Sequence, residues 1–264
     1  MNKKKRHIGL VVEILIATLV PLVTISTVLL TVYTVIIINR IKNETLESSK
    51  MNIEKLCGEV QRTLQLTTGL VNDATQLIHE YHRKDVAESI ILSSVKTHKE
   101  FFALYYATVI SRYEQGGFCI YYDWDPPPTW VPSQRPWWKA AVANYGNITF
   151  SDPYVDAQLG GLCITVAKTV SDSSGNLIGC MGADIDVGAM VDLVNNYRIS
   201  ESSKCYIIKN DGLYITHPDS DAVMNRNYFD ESDLKNYGVK DGNYLRNETY
   251  ATMYGDKYYV SAPV

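Results

Sequence analysis

The chain has 264 residues, with 25 Lys and Arg against 29 Asp and Glu, a net charge of -4 and 46% hydrophobic residues. That length supports a sizeable core and two small modules, while the slightly acidic balance, with basic residues clustered only at the extreme N-terminus, argues against a nucleic-acid-binding surface. Tyrosine dominates the aromatics, 19 against 5 Phe, which suits half-buried sheet faces and polar pockets better than a dry core.

Lys3, Lys4, Lys5 and Arg6 precede a run, 14–38, that contains no charged residue and is about long enough to cross a bilayer as a helix. A cleavable signal peptide has a shorter apolar core and a small-x-small site, and no such site precedes Asn39, so an uncleaved membrane anchor is expected. The basic cluster assigns 1–13 to the cytoplasm and everything beyond about Arg40 to the other side of the membrane. Pro21 is compatible with such a span.

Beyond the anchor, Ile53, Leu56, Val60, Leu64, Val71, Ala74, Ile78 and Tyr81 recur mostly at three- and four-residue steps, one apolar stripe on a long stalk helix. A helix of about 40 residues, roughly 60 Å long, needs a partner along that stripe. Part is expected to pack on its own domain and part on a second chain, giving a homodimer. A second helix is predicted over 86–98, after the polar break His82, Arg83, Lys84 and Asp85.

Short apolar runs then read as strands over 104–110 and 118–122, separated by Glu114, Gln115, Gly116 and Gly117. Pro126, Pro127 and Pro128 cannot continue a sheet, because each lacks a backbone donor. A short helix is predicted over 137–145, with Pro136 at its start and Gly146 after its end. Runs at 162–170 and 177–185, joined through Ser174, Gly175 and Asn176, carry a hairpin signature, and 187–197 has the period of a connecting helix. Near Ser202 a second module begins, with strands expected over 205–209 and 213–216 around the Asp211-Gly212 turn, and a last strand over 258–264. His217 lacks a Ser or Cys nucleophile setting and reads as structural. Cys57, Cys119, Cys163, Cys180 and Cys205 form no Cys-x-x-Cys pair and have no His at ligand spacing, so no zinc site and no cofactor are expected. An odd count leaves at least one thiol unpaired within a monomer.

The residues with the most chemistry lie between Trp130 and Asp156, followed by Asp184. Trp130, Arg135 and Trp137 place one guanidinium among aromatics, and Tyr154 and Asp156 follow after Ser151, Asp152 and Pro153. A guanidinium fork matches a carboxylate bidentately, while Asp and Tyr oxygens suit an ammonium.

This segment resembles the ligand-binding motif of the double Cache sensor domains of bacterial transmembrane receptors such as methyl-accepting chemotaxis proteins. The resemblance implies that Trp130, Arg135 and Trp137 hold a ligand carboxylate and that Tyr154, Asp156 and Asp184 hold its amine. One position departs: Trp130 stands where the family pattern has Tyr, and an indole donates a hydrogen bond but does not accept one. The fold implied is α+β: an N-terminal transmembrane helix (14–38), a stalk and second helix (39–100), a membrane-distal PAS-like module with an antiparallel sheet (101–197), and a membrane-proximal PAS-like module that is incomplete (198–264). The function implied is extracytoplasmic sensing of an amino acid by a membrane-anchored receptor, one span of which lies in this chain and a second beyond it. An amine-sensing input domain of a kinase or cyclase is the alternative, and an adhesion or dimerisation module without ligand is the alternative of another class. Asp152, Asp156 and Asp184 are the carboxylates an enzyme would use, but no motif such as Gly-x-Ser-x-Gly accompanies them, so no catalysis is expected.

Overall fold

The computed structural model describes residues 2–81, 83–97, 103–198, 200–238, 249–254 and 257–264. Two compact units divide the chain, 1–51 and 52–264.

Helix α1 is Asn2–Tyr81. In the first unit its apolar side chains between Val12 and Ile38, Leu22, Leu29, Leu30 and Ile36 among them, are exposed, a surface that an aqueous helix does not tolerate and hydrocarbon does. The threonines of this stretch keep their hydroxyls inside the helix: Thr27 donates to Val23 O at 3.0 Å, Thr31 to Thr27 O and Thr34 to Leu30 O at 2.8 Å. These hydroxyls thereby need no water in a lipid core. The helix is long and apolar enough to cross a membrane.

In the second unit the stripe read from sequence is the buried face of α1: Leu56, Val60, Val71, Ala74 and Ile78 are buried, Ile53 and Leu64 partly so, and Tyr81 is exposed. The predicted second helix is α2, Lys84–Thr97; His82 and His98 lie outside the described residues. Strands β1 (Ala103–Thr108), β2 (Cys119–Tyr121), β3 (Thr149–Phe150), β4 (Tyr154–Val155), β5 (Leu162–Ser171) and β6 (Leu177–Asp186) form one antiparallel sheet in the order β2-β1-β6-β5-β3, with β4 also on β5. Helix α3 is Pro136–Ala143 and α4 is Val187–Asn196.

Strand alternation sorts the sheet into two faces. Leu104, Tyr106, Ile164, Val166, Met181, Ala183 and Ile185 pack with the stripe of α1 and with α2 and α4. The intervening positions, Tyr105, Ala107, Ala167 and Cys180, pack under Trp137, Trp138 and Ala141 of α3. With both faces covered, the strands read as near-continuous apolar runs rather than alternating ones.

Beyond α4 the chain folds largely without ladder pairing. The hairpin expected over 205–209 and 213–216 forms in shortened shape: Gly212, at φ 90°, donates to Lys209 O at 2.9 Å, and Lys209 N donates to Leu213 O at 2.9 Å and Ile215 N to Ile207 O at 2.8 Å around the bridge Ile208↔Tyr214. On its other side Tyr214 bonds the 224–226 segment, its N–H to Arg226 O and its carbonyl to Met224 N–H, while Ile207 N–H donates to the Thr216 hydroxyl. His217 stacks on Tyr206 with ring centroids 5.3 Å apart and its Nδ1 meets the Asp219 backbone, a structural role. Helix α5 (Tyr228–Glu231) and the hairpin β7–β8 (Tyr250–Tyr254 and Lys257–Ser261) complete this part. All five cysteines are thiols.

Candidate functional site

The six residues singled out by sequence, Trp130, Arg135, Trp137, Tyr154, Asp156 and Asp184, line one cleft on the α3 side of the sheet. Each is delivered by a local rule. Arg135 precedes Pro136, so its backbone is extended (φ -78°, ψ 149°) and it caps α3 rather than joining it. Trp137, one residue into α3, is buried against the sheet. Tyr154 comes from β4, held opposite Cys163 of β5. Asp156 closes the turn after β4: its Oδ1 accepts from Gln158 N at 2.9 Å and Leu159 N at 2.7 Å, the self-bonding that suits Asp to turns. Asp184 lies on β6, flanked by Ala103 of β1 and Thr165 of β5.

Asp184 is the chemical centre. It is 2% exposed, and its Oδ1 accepts from the Thr165 hydroxyl at 2.6 Å and the Tyr105 hydroxyl at 2.7 Å. Burial pushes its carboxyl up to about 7, against the lowering effect of those two hydrogen bonds; nearby Asp156 adds to the rise and Arg135 opposes it. The Tyr154 hydroxyl lies 2.7 Å from Thr165 Oγ1. Thr165 has one hydroxyl hydrogen and donates it to ionised Asp184, so Tyr154 donates to Thr165 and keeps its lone pairs as acceptors. Asp184, Asp156 and Tyr154 therefore supply the acceptors of the cleft.

Arg135 and Trp130 supply its donors. Arg135 lies over the Tyr154 ring, 5.3 Å from its centroid, and donates through Nη2 to Val155 O at 3.0 Å. Trp130 Nε1 is buried without a hydrogen-bond partner, an arrangement that costs about 1–3 kcal/mol unless something accepts from it. Tyr105, Tyr121, Trp124, Ala157 and Gln158 also line the cleft, and sequence reading missed them. Asp152, weighed from sequence beside Asp156, lies elsewhere and pairs with Lys209 at 2.9 Å.

The ligating atoms of Asp156, Cys163 and Asp184 lie within 4.8 Å of one another. Burial pushes the Cys163 thiol up well above its usual range. Two carboxylates and a tyrosine oxygen in this space match an ammonium directly.

A helix-flanked antiparallel sheet with a cleft under its loops defines a PAS-like module. The Cache domain family model matches residues 34–263, and the chain belongs to that family. Among curated proteins it is similar to the methyl-accepting chemotaxis protein TlpB of Bacillus subtilis, 27% identical over 187 residues that make up 68% of this chain and 26% of TlpB, and to McpA of Pseudomonas putida, 35% identical over 39% of this chain and 16% of McpA. The chain thus spans about a quarter or less of these relatives. Among solved structures, the ligand-binding domain of the Pseudomonas aeruginosa chemoreceptor PctB in complex with L-Arg superposes with a TM-score of 0.59 at 21% identity, covering 69% of each chain. That of Pseudomonas fluorescens CtaA with L-isoleucine does so with a TM-score of 0.58 at 20% identity, covering 84% of this chain and 86% of CtaA. These likenesses bear on the fold.

Proposed function

We propose that this chain is the sensing part of a membrane-anchored chemotaxis receptor and that its cleft binds a free α-amino acid. The ligand carboxylate is held by the Arg135 guanidinium and Trp130 Nε1, with Trp137 as the wall beneath it. The ammonium is held by Asp184, Asp156 and the Tyr154 oxygen. The single observation that carries this reading is that a buried, partnerless indole N–H and the Arg135 guanidinium line the same cleft as a buried carboxylate. The relatives named as chemotaxis proteins, and the neighbours solved with amino acids, support it.

The direct test is thermal stabilisation of the full chain in lipid nanodiscs by free amino acids and by amines that lack a carboxylate. Amino acids are expected to bind with micromolar affinity, about -8 kcal/mol. Arg135→Ala should weaken them by about 2 kcal/mol, roughly 30-fold, through loss of a charge-assisted pair, and should leave simple amines nearly unaffected. A cleft that prefers amines in the wild type, indifferent to Arg135→Ala, would turn the reading to amine sensing.

In the proposed topology the sensor is extracytoplasmic, anchored by the 14–38 span. A phosphatase reporter joined after Asn39 should be active on the outer side, and cytoplasmic activity would reject this placement. The homodimer expected from the stalk is proposed to use the face of α1 bearing Gln61, Leu64, Gln65, Thr68 and Asn72, which with Ile148 and Phe150 borders an open groove of about 700 Å³. Cross-linking through single cysteines at Gln65 should trap a dimer if that face is shared. Ligand affinity would differ between two packings of the 52–81 part of α1 on the sheet, and that difference bounds the signal that can be sent.

A further inference from the structure

The cleft has a third wall, which shares Trp130 with the carboxylate site. Tyr121, Trp124 and Trp130 meet as three mutually perpendicular rings: Tyr121 and Trp124 have centroids 4.9 Å apart at 84°, Tyr121 and Trp130 5.2 Å at 87°, Trp124 and Trp130 5.5 Å at 84°. Tyr121 also stacks on Tyr105 at 4.7 Å, and Tyr105 meets Trp137 edge-on at 4.9 Å. No ring in this set can swing aside without unpacking another.

The segment that carries Trp124 is itself braced. Pro126, Pro127 and Pro128 restrict its backbone, Arg112 forms an ion pair with Asp125, and Gln158 Nε2 reaches Asp123 O at 3.5 Å. The last contact joins the Trp124 segment to the Asp156 turn across the mouth. The atom-free space that remains, open mouth included, is about 270 Å³, below the range usual for a drug-sized ligand. Among the described residues, Arg135, Asp156 and Asp184 are the charged side chains that line it.

We infer that Trp124, backed by Tyr121 and Gln158, closes the side-chain end of the cleft and restricts its ligands to amino acids with small, uncharged side chains, of the size of glycine, alanine or serine. This rests on the amino-acid reading of the two end groups. An aromatic wall of this rigidity has no room for a branched or aromatic side chain and no counter-charge for a second cation or anion, so each would have to displace packed rings or enter unpaired.

The experiment is calorimetric titration of the full chain in nanodiscs with glycine, L-alanine, L-serine, L-leucine, L-phenylalanine and L-arginine, for the wild type, Trp124→Ala and Gln158→Ala. The wild type should bind the first three at least about tenfold more tightly than the last three. Trp124→Ala should narrow or invert that order by admitting leucine and phenylalanine, and Gln158→Ala, on an exposed turn, supplies the same readout should the tryptophan variant fail to fold. Equal affinity of the wild type for alanine and phenylalanine, or an unchanged order in whichever variant folds, overturns the size restriction. If amino acids bind and depend on Arg135 and Asp184 but follow no order of size, only this inference falls. If none binds, the reading of the end groups falls and takes it along.

Discussion

Asp184→Asn is expected to reduce amino-acid affinity at least about 100-fold, about 3 kcal/mol, because the ligand ammonium would then be desolvated beside a neutral amide. The substitution is chosen for what it preserves. The amide oxygen of Asn can still accept from Thr165 and Tyr105, which now bond Oδ1 at 2.6 and 2.7 Å, so the strand packing survives. What changes is charge, and the new N–H donors face a cationic group. The same carboxylate predicts a pH signature. Its pKa is raised to about 7 in the fold from an ordinary value of 3.8, so between these values the folded state binds more protons than the unfolded one. Stability of the ligand-free chain should therefore fall as pH rises from about 4 to about 7, and level off above. Ligand binding runs the other way, since the ammonium needs the ionised carboxylate: affinity should rise with pH through about 7. Melting curves with and without ligand at pH 5.5 and 8 read both trends, and Asp184→Asn should flatten both. Retention of wild-type affinity by the variant would remove Asp184 from the site.

How much of this was legible in the sequence follows the range of the interactions involved. The anchor and the α1 stripe depend on a period within one helix, and Leu56, Val60, Val71, Ala74 and Ile78 were read correctly from it. Arg135 and Trp137 lie in one short segment whose backbone is set by Pro136, and they too were legible, through resemblance. Tyr105, Thr165 and Trp124 were not. Tyr105 and Thr165 reach Asp184 only because β1 and β5 flank β6 in one particular register, and register between distant strands leaves no mark in a run buried on both faces. Strands β3 and β4, two residues each and separated by Pro153, fall below any periodic signal. The second-module hairpin is shorter than expected but present: the local Asp211-Gly212 turn chemistry brings Lys209 to Leu213 and Ile207 to Ile215, while the outer groups of Tyr214 go to the distant 224–226 segment, which no local signal shows.

Gly182→Ala should be the most damaging single methyl added near the cleft. Gly182 sits in β6 between Tyr105 of β1 and Ala167 of β5, two residues before Asp184 on the same face. A Cβ there would stand 2.4 Å from Tyr105 Cε2 and 2.9 Å from Cζ, because the tyrosine ring crosses directly over the glycine to bring its hydroxyl to the carboxylate. The ring has nowhere to retreat: Tyr121 stacks on it at 4.7 Å and Trp137 meets it at 4.9 Å. Overpacking of this kind costs about 1–3 kcal/mol, and for a two-state unfolding it would lower the melting temperature by several degrees. It should also cost ligand affinity, since a displaced Tyr105 no longer bonds Asp184 and the carboxyl is pushed still higher. Tyr105→Phe separates the two effects: it keeps the ring and its packing but removes the hydroxyl, so it should weaken binding while leaving stability closer to wild type. If the clash with the ring is the cause, Gly182→Ala and Tyr105→Ala will be non-additive, the glycine substitution costing less once the ring is gone. Strict additivity in melting experiments, or a Gly182→Ala variant as stable and as responsive as the wild type, would mean that Tyr105 does not reach Asp184 across this glycine.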